Sequence, residues 1–125
     1  MKPILAAFAA LQWLTGALLW LAPGFFYETI GPFGPRNDHY IGDLATWYLA
    51  LGALALVAVR RREWREWRGP VLALALGQNV LHAINHLLDV GDADPAWLGP
   101  ATLISLVLLS GLVAVMLNTT GTRAR

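Results

Sequence analysis

Four apolar runs dominate this chain, and each approaches the roughly 20 residues that a helix needs to cross a bilayer. They lie at about 3–22, 38–59, 70–90 and 100–117. Only short connections separate them, so 125 residues leave no room for a second folding unit. The expected fold is all-α, one integral membrane four-helix bundle over residues 1–125. Composition points to lipid as the solvent. Only 14% of the residues are charged and the mean hydropathy is +0.53, whereas a soluble domain carries about 25% charged residues.

Each run has its own start and stop signals. Pro23-Gly24 closes the first. That run exceeds a signal-peptide core of about 7–15 residues and lacks a small-x-small site before Pro23, so it is expected to remain as a helix. The connection 24–36 contains Pro32 and Pro35, which argue against a regular helix there. Its aromatics Phe25, Phe26, Tyr27 and Phe33 suit a membrane–water interface. Asn37 or Asp38 supplies the N-cap of the second helix. The basic stretch 60–68, with Trp64 and Trp67, reads as a solvated loop anchored at head groups. Gly69-Pro70 opens the third helix with proline in its first turn, and an acidic, turn-rich stretch, 91–99, precedes the fourth.

Positive charge sets the expected orientation. Lys2, the five arginines of the central connection, Arg123 and Arg125 fall on one side, and only Arg36 on the other. Basic residues stay cytoplasmic, so both termini and the central connection face the cytoplasm of an inner-membrane, multi-pass protein. There are no cysteines, which excludes disulfides, iron–sulfur clusters and thiolate zinc sites. No basic run interleaved with aromatics suggests nucleic-acid binding.

Against this apolar background two polar clusters stand out. In the third helix His82, His86 and Asp89 follow i, i+4, i+7 spacing and share one stripe, with Gln78 and Asn85 beside it. At the start of the second lie Asn37, Asp38, His39, Tyr40 and Asp43. Ionisable groups at membrane depth are costly and tend to face a bundle interior and carry function. A short connection makes the second and third helices expected antiparallel neighbours. At about 1.5 Å per residue, His39 then lies at the depth of Asp89, and Asp43 at that of His86.

The expected site is therefore a metal centre in the outer half of the bundle, with His39, Asp43, His82, His86 and Asp89 as ligands. Imidazole and carboxylate suit zinc, iron and manganese, and imidazole suits copper. Asn37, Tyr40, Thr46, Gln78, Asn79 and Asn85 are the expected orienting partners. Haem ranks behind a divalent transition metal, because two histidines one turn apart cannot ligate it from opposite faces. A haem would need His39 paired with His82 or His86. The bland alternative is a hydrogen-bonded network that joins helices, with His39 and Asp89 solvated at the rim and Asp38 an N-cap. The other polar groups inside the helices are Gln12, Thr15, Thr102, Ser105 and Ser110. Gln12, near mid-membrane, would bond to a neighbouring helix or reach the floor of the pocket, and Gly16, Gly52, Gly77 and Gly111 would permit close packing.

At these clusters the chain resembles a family of small, uncharacterised bacterial four-helix membrane proteins with N-x-H-[FY]-x-x-D and H-A-x-x-H-x-x-D motifs. Asn37, His39, Tyr40 and Asp43 match the first, and His82, Ala83, His86 and Asp89 the second. The family often has Arg before the first motif's Asp and Gly two residues after it, where this chain has Gly42 and Ala45. The resemblance implies a site on these helices and names no reaction. Three functions fit the residues. One is a membrane-embedded metalloprotein, an oxidoreductase or hydrolase acting on a lipid-soluble substrate. Another is a carrier or ligand-binding subunit for a proton, ion or small molecule, which would need a homodimer to form a path. The last is a structural subunit. The bilayer and a lipid-soluble small molecule are the expected partners.

Overall fold

The computed structural model describes residues 2–121, and within them five helices. They are α1 (Lys2–Leu21), α2 (Pro23–Thr29), α3 (Asp38–Arg60), α4 (Trp64–Leu88) and α5 (Leu98–Gly121). All but α2 are long and apolar enough to cross a membrane. Asn37 caps α3, its side chain accepting from the backbone N–H groups of His39 at 3.1 Å and Tyr40 at 3.3 Å. Asp38, the other cap candidate, instead takes the Arg36 guanidinium at 2.7 Å. That hydrogen bond holds the Arg36 pKa above its ordinary value.

Two elements differ from expectation. Residues 23–29 form a short helix, because Pro23 occupies its first position, where a missing N–H costs nothing. Pro32 and Pro35 lie beyond its end. At the opposite end of the bundle the basic connection shrinks to 61–63, and 64–68 are already helical. Pro70 therefore lies inside α4 rather than in its first turn, which leaves the Glu66 carbonyl without its helical donor. Trp64 offsets part of that cost, with Arg65 5.9 Å and Arg68 5.4 Å from its ring centre.

The helices pack as two pairs, α1 with α3 and α4 with α5, and the seam between α3 and α4 is thinner. Glycine explains the first pair. A Cβ on Gly16 would fall 2.7 Å from Leu49 Cγ, and one on Gly52 would fall 2.5 Å from Trp13 Cδ1 and 3.2 Å from the Ala9 carbonyl oxygen. Gly77 and Gly111 have no such neighbours within 4 Å, so the expectation of close packing holds at two of the four glycines.

At the arginine end all four long helices share a dense apolar core. It includes Leu5 and Phe8 of α1, Leu51 and Ala55 of α3, Val71 and Leu72 of α4, and Val113 and Met116 of α5. At the histidine end they stand apart, and two connections close the gap. Phe33 and Ala93 form a single antiparallel bridge, and the Asp94 N–H donates to the Pro32 carbonyl at 3.1 Å. The Tyr27 hydroxyl donates to the Gly34 carbonyl at 2.6 Å, and Gly34 adopts φ +60, a conformation that suits glycine.

Candidate functional site

Where the helices separate, they line a half-open cavity of about 610 Å³. Its floor is Gln12 of α1, almost wholly buried, and Leu11, Thr15 and Leu19 continue that wall. The α3 wall is Ile41, Leu44 and Tyr48, and the α5 wall includes Thr102, Ser105 and Leu106. The Thr102 and Ser105 hydroxyls donate to carbonyls of their own helix, at 2.8 Å each, rather than to a neighbouring helix. His82, Asn85, His86 and Asp89 form the α4 wall. The volume suits a small organic molecule.

The α4 residues make an ordered chain. His82 Nε2 lies 3.1 Å from His86 Nε2, a hydrogen bond in which one ring donates and the other accepts. On the far side of the His86 ring, Nδ1 stands 3.7 Å from Asp89 Oδ1, too long for a hydrogen bond but close enough to orient the imidazole. Asn85 donates its Nδ2–H to Asp89 Oδ2 at 3.4 Å and steadies the carboxylate. An ionised carboxylate only accepts, so Asp89 favours a proton on His86 Nδ1. His86 Nε2 is then bare and accepts from His82 Nε2–H, and the chain ends in a bare lone pair on His82 Nδ1. This tautomer assignment follows from hydrogen-bonding chemistry.

The five expected ligands do not form one cluster. His39 Nε2 and Asp43 Oδ2 face each other at 3.6 Å, both well exposed, in a separate niche beside Trp20, Gly42 and Thr46. Depth along a helix does not fix direction around it. At about 100° per residue, Ile41, Leu44 and Tyr48 turn into the cavity, and His39, Gly42, Asp43 and Thr46 turn to the adjacent face. Among the described residues, no group of three or more His, Cys, Asp or Glu side chains is placed to hold a metal ion. With the His82 proton moved to Nδ1, the Nε2 atoms of His82 and His86 would present two lone pairs to one ion. Their 3.1 Å separation is near the roughly 3.3 Å between two nitrogens on a tetrahedral zinc. Asp89 lies on the wrong side of His86 to join them, and is an orienting partner instead.

The expected orienting residues divide the same way. Asn37 is a helix cap, and the Thr46 hydroxyl donates to the Asp43 backbone carbonyl at 2.7 Å. Tyr40 lies at the exposed edge of the cavity. Asn79 is buried outside its lining, with Nδ2 unpartnered. Gln78 stands one turn before His82, with Oε1 unpartnered.

Phe33 was not foreseen as part of the site. Its ring meets His86 edge-on, with centres 4.5 Å apart, and lines the cavity. The only signal in the sequence was an aromatic between two prolines. Phe33→Ala is expected to cost about 0.5–1.5 kcal/mol from the lost ring contact. It should also speed hydrogen exchange at the Asp94 amide, which the same connection holds. Unchanged exchange there would show that Phe33 does not secure that connection.

Comparison with protein-family models, curated proteins and solved structures finds no match to this chain.

Proposed function

We propose that this chain is an integral protein of the cytoplasmic membrane that binds a lipid-soluble small molecule in the cavity at its histidine end. The polar group of that molecule would rest against His82 and His86. One observation carries the reading. Gln12 Oε1 and His82 Nδ1 are both buried without hydrogen-bond partners, and both residues line the same largely apolar cavity as His86 and Asp89. Unpaired buried polar atoms are uncommon and call for a cause. A bound molecule that pairs with them supplies one. The exposed leucines 14, 81 and 108 support a bilayer as the surroundings, since a water-soluble surface rarely carries so much apolar area. The excess of arginine at the other end supports cytoplasmic termini.

The spacing of the two Nε2 atoms favours a second reading, a divalent transition metal held on His82 and His86 and completed by water or the bound molecule. Zinc, iron, copper and manganese all accept imidazole. In that form the protein would be the oxidoreductase or hydrolase that the residue types suggest.

One preparation tests both readings: wild type and the His82→Ala, His86→Ala double variant, purified from metal-supplied cells. An organic extract is analysed by mass spectrometry and the remainder for elements. A small molecule near one per chain in the wild type, and lost from the variant, supports ligand binding. Near-stoichiometric metal with the same dependence supports the metal reading. If the wild type contains neither, both are overturned.

A further inference from the structure

The thin α3–α4 seam opens a second space, a groove of about 560 Å³ on the outside of the bundle. Its walls are almost wholly apolar, with Trp47 on α3 and Leu74, Gly77 and Leu81 on α4. Leu44 and His82 belong to both spaces, lining the groove and the interior cavity. The two spaces therefore meet at these side chains. Gly16 and Gly52 close the α1–α3 interface. Helices α1 and α5 touch little, but among the described residues no apolar groove lined by both of those helices adjoins His82 there. At the aqueous end, Phe33 packs on His86 and its bridge to Ala93 spans the two connections.

We propose that the cavity is loaded sideways from the lipid, between α3 and α4, and that its occupant is a single-chain amphiphile. Its compact polar head lies at His82 and His86, and its acyl or prenyl chain runs past Leu44 into the α3–α4 groove. This rests on the reading of the cavity as a ligand site. A molecule without a chain would leave the groove empty, and a two-chain lipid would need a wider seam. The continuity of polar cavity and apolar groove through one shared histidine matches a ligand with one polar end and one apolar chain.

The absence of cysteine makes a direct test possible. Thr15→Cys places a thiol on the α1 wall of the cavity. In nanodiscs of phosphatidylcholine it is treated with N-dodecylmaleimide, an amphiphile with a reactive head, or with a charged maleimide confined to water. The dodecyl reagent should react at least about ten-fold faster, because charge keeps the other out of the bilayer. Gly77→Phe, which projects into the groove from a position where a Cβ meets nothing within 4 Å, should remove that advantage. Leu81→Trp, at an exposed groove position, is a second plug if Gly77→Phe unfolds. A fast dodecyl reaction that neither plug slows overturns the lateral route and leaves the cavity reading intact. A thiol that neither reagent reaches, in a folded protein, overturns the cavity reading and the route with it. A faster charged reagent places the opening at the aqueous end and overturns the route alone.

Discussion

Gly52→Leu will be among the most destabilising single changes in this chain, costing about 3 kcal/mol, the upper part of the usual range for overpacking. Helices α1 and α3 touch at this glycine. Its Cβ would meet the Trp13 ring at 2.5 Å, Gln12 Cβ at 3.1 Å and the Ala9 carbonyl oxygen at 3.2 Å. The indole could swing aside, but the Ala9 oxygen is backbone and could retreat only if α1 moved. Such a shift would disturb Leu5 and Phe8, which pack into the shared core. Gly111→Leu is the control, because a Cβ there meets nothing within 4 Å. Denaturant titration in detergent, followed by circular dichroism, should give the two variants midpoints far apart. Equal losses would mean that the α1–α3 contact does not govern stability.

Gln12→Leu should move stability and binding in opposite directions. The Gln12 Oε1 atom is buried without a hydrogen-bond partner, and such a group costs about 1–3 kcal/mol. Leucine removes that atom at similar volume, so the unliganded bundle should gain about 1–2 kcal/mol within that range. The floor of the cavity would lose its polar anchor at the same time. Retention of the co-purifying molecule should fall about ten-fold, the equivalent of one charge-free hydrogen bond of about 1.4 kcal/mol. This opposition is the signature of a residue kept for function at the expense of stability. Loss of both stability and binding would instead assign Gln12 to packing.

The four long helices were legible because an apolar run of about 20 residues leaves few alternatives. The Asn37 cap was legible for a similarly local reason, and so was the His82–His86–Asp89 stripe, since i, i+4 spacing fixes neighbours within one helix. The position of α3 about its own axis was not legible. Hydropathy gives depth, and depth alone matched Asp43 with His86. Which face of α3 turns inward depends on where Gly16 and Gly52 let α1 approach, through contacts such as Gly16 with Leu49 and Gly52 with Trp13 that lie far apart in the chain. That contact directs Ile41, Leu44 and Tyr48 toward the cavity and leaves His39 and Asp43 in a niche of their own. The helical start at Trp64 was hidden by Pro70, whose lost hydrogen bond is tolerated inside α4. Phe33 joined the site through a bridge to Ala93, a pairing between two irregular segments that no local pattern announces.

That bridge also has a mechanical consequence. The two helix pairs are fused by the core at the arginine end and clasped at the other by Phe33 and Ala93, together with the Asp94 to Pro32 hydrogen bond. A body fixed at both ends yields in its middle. Between those two fastenings the pairs meet mainly along α3–α4, and α1 and α5 touch little. A larger occupant would therefore be accommodated by parting the pairs from each other rather than by loosening either pair, with His82 on the line between them.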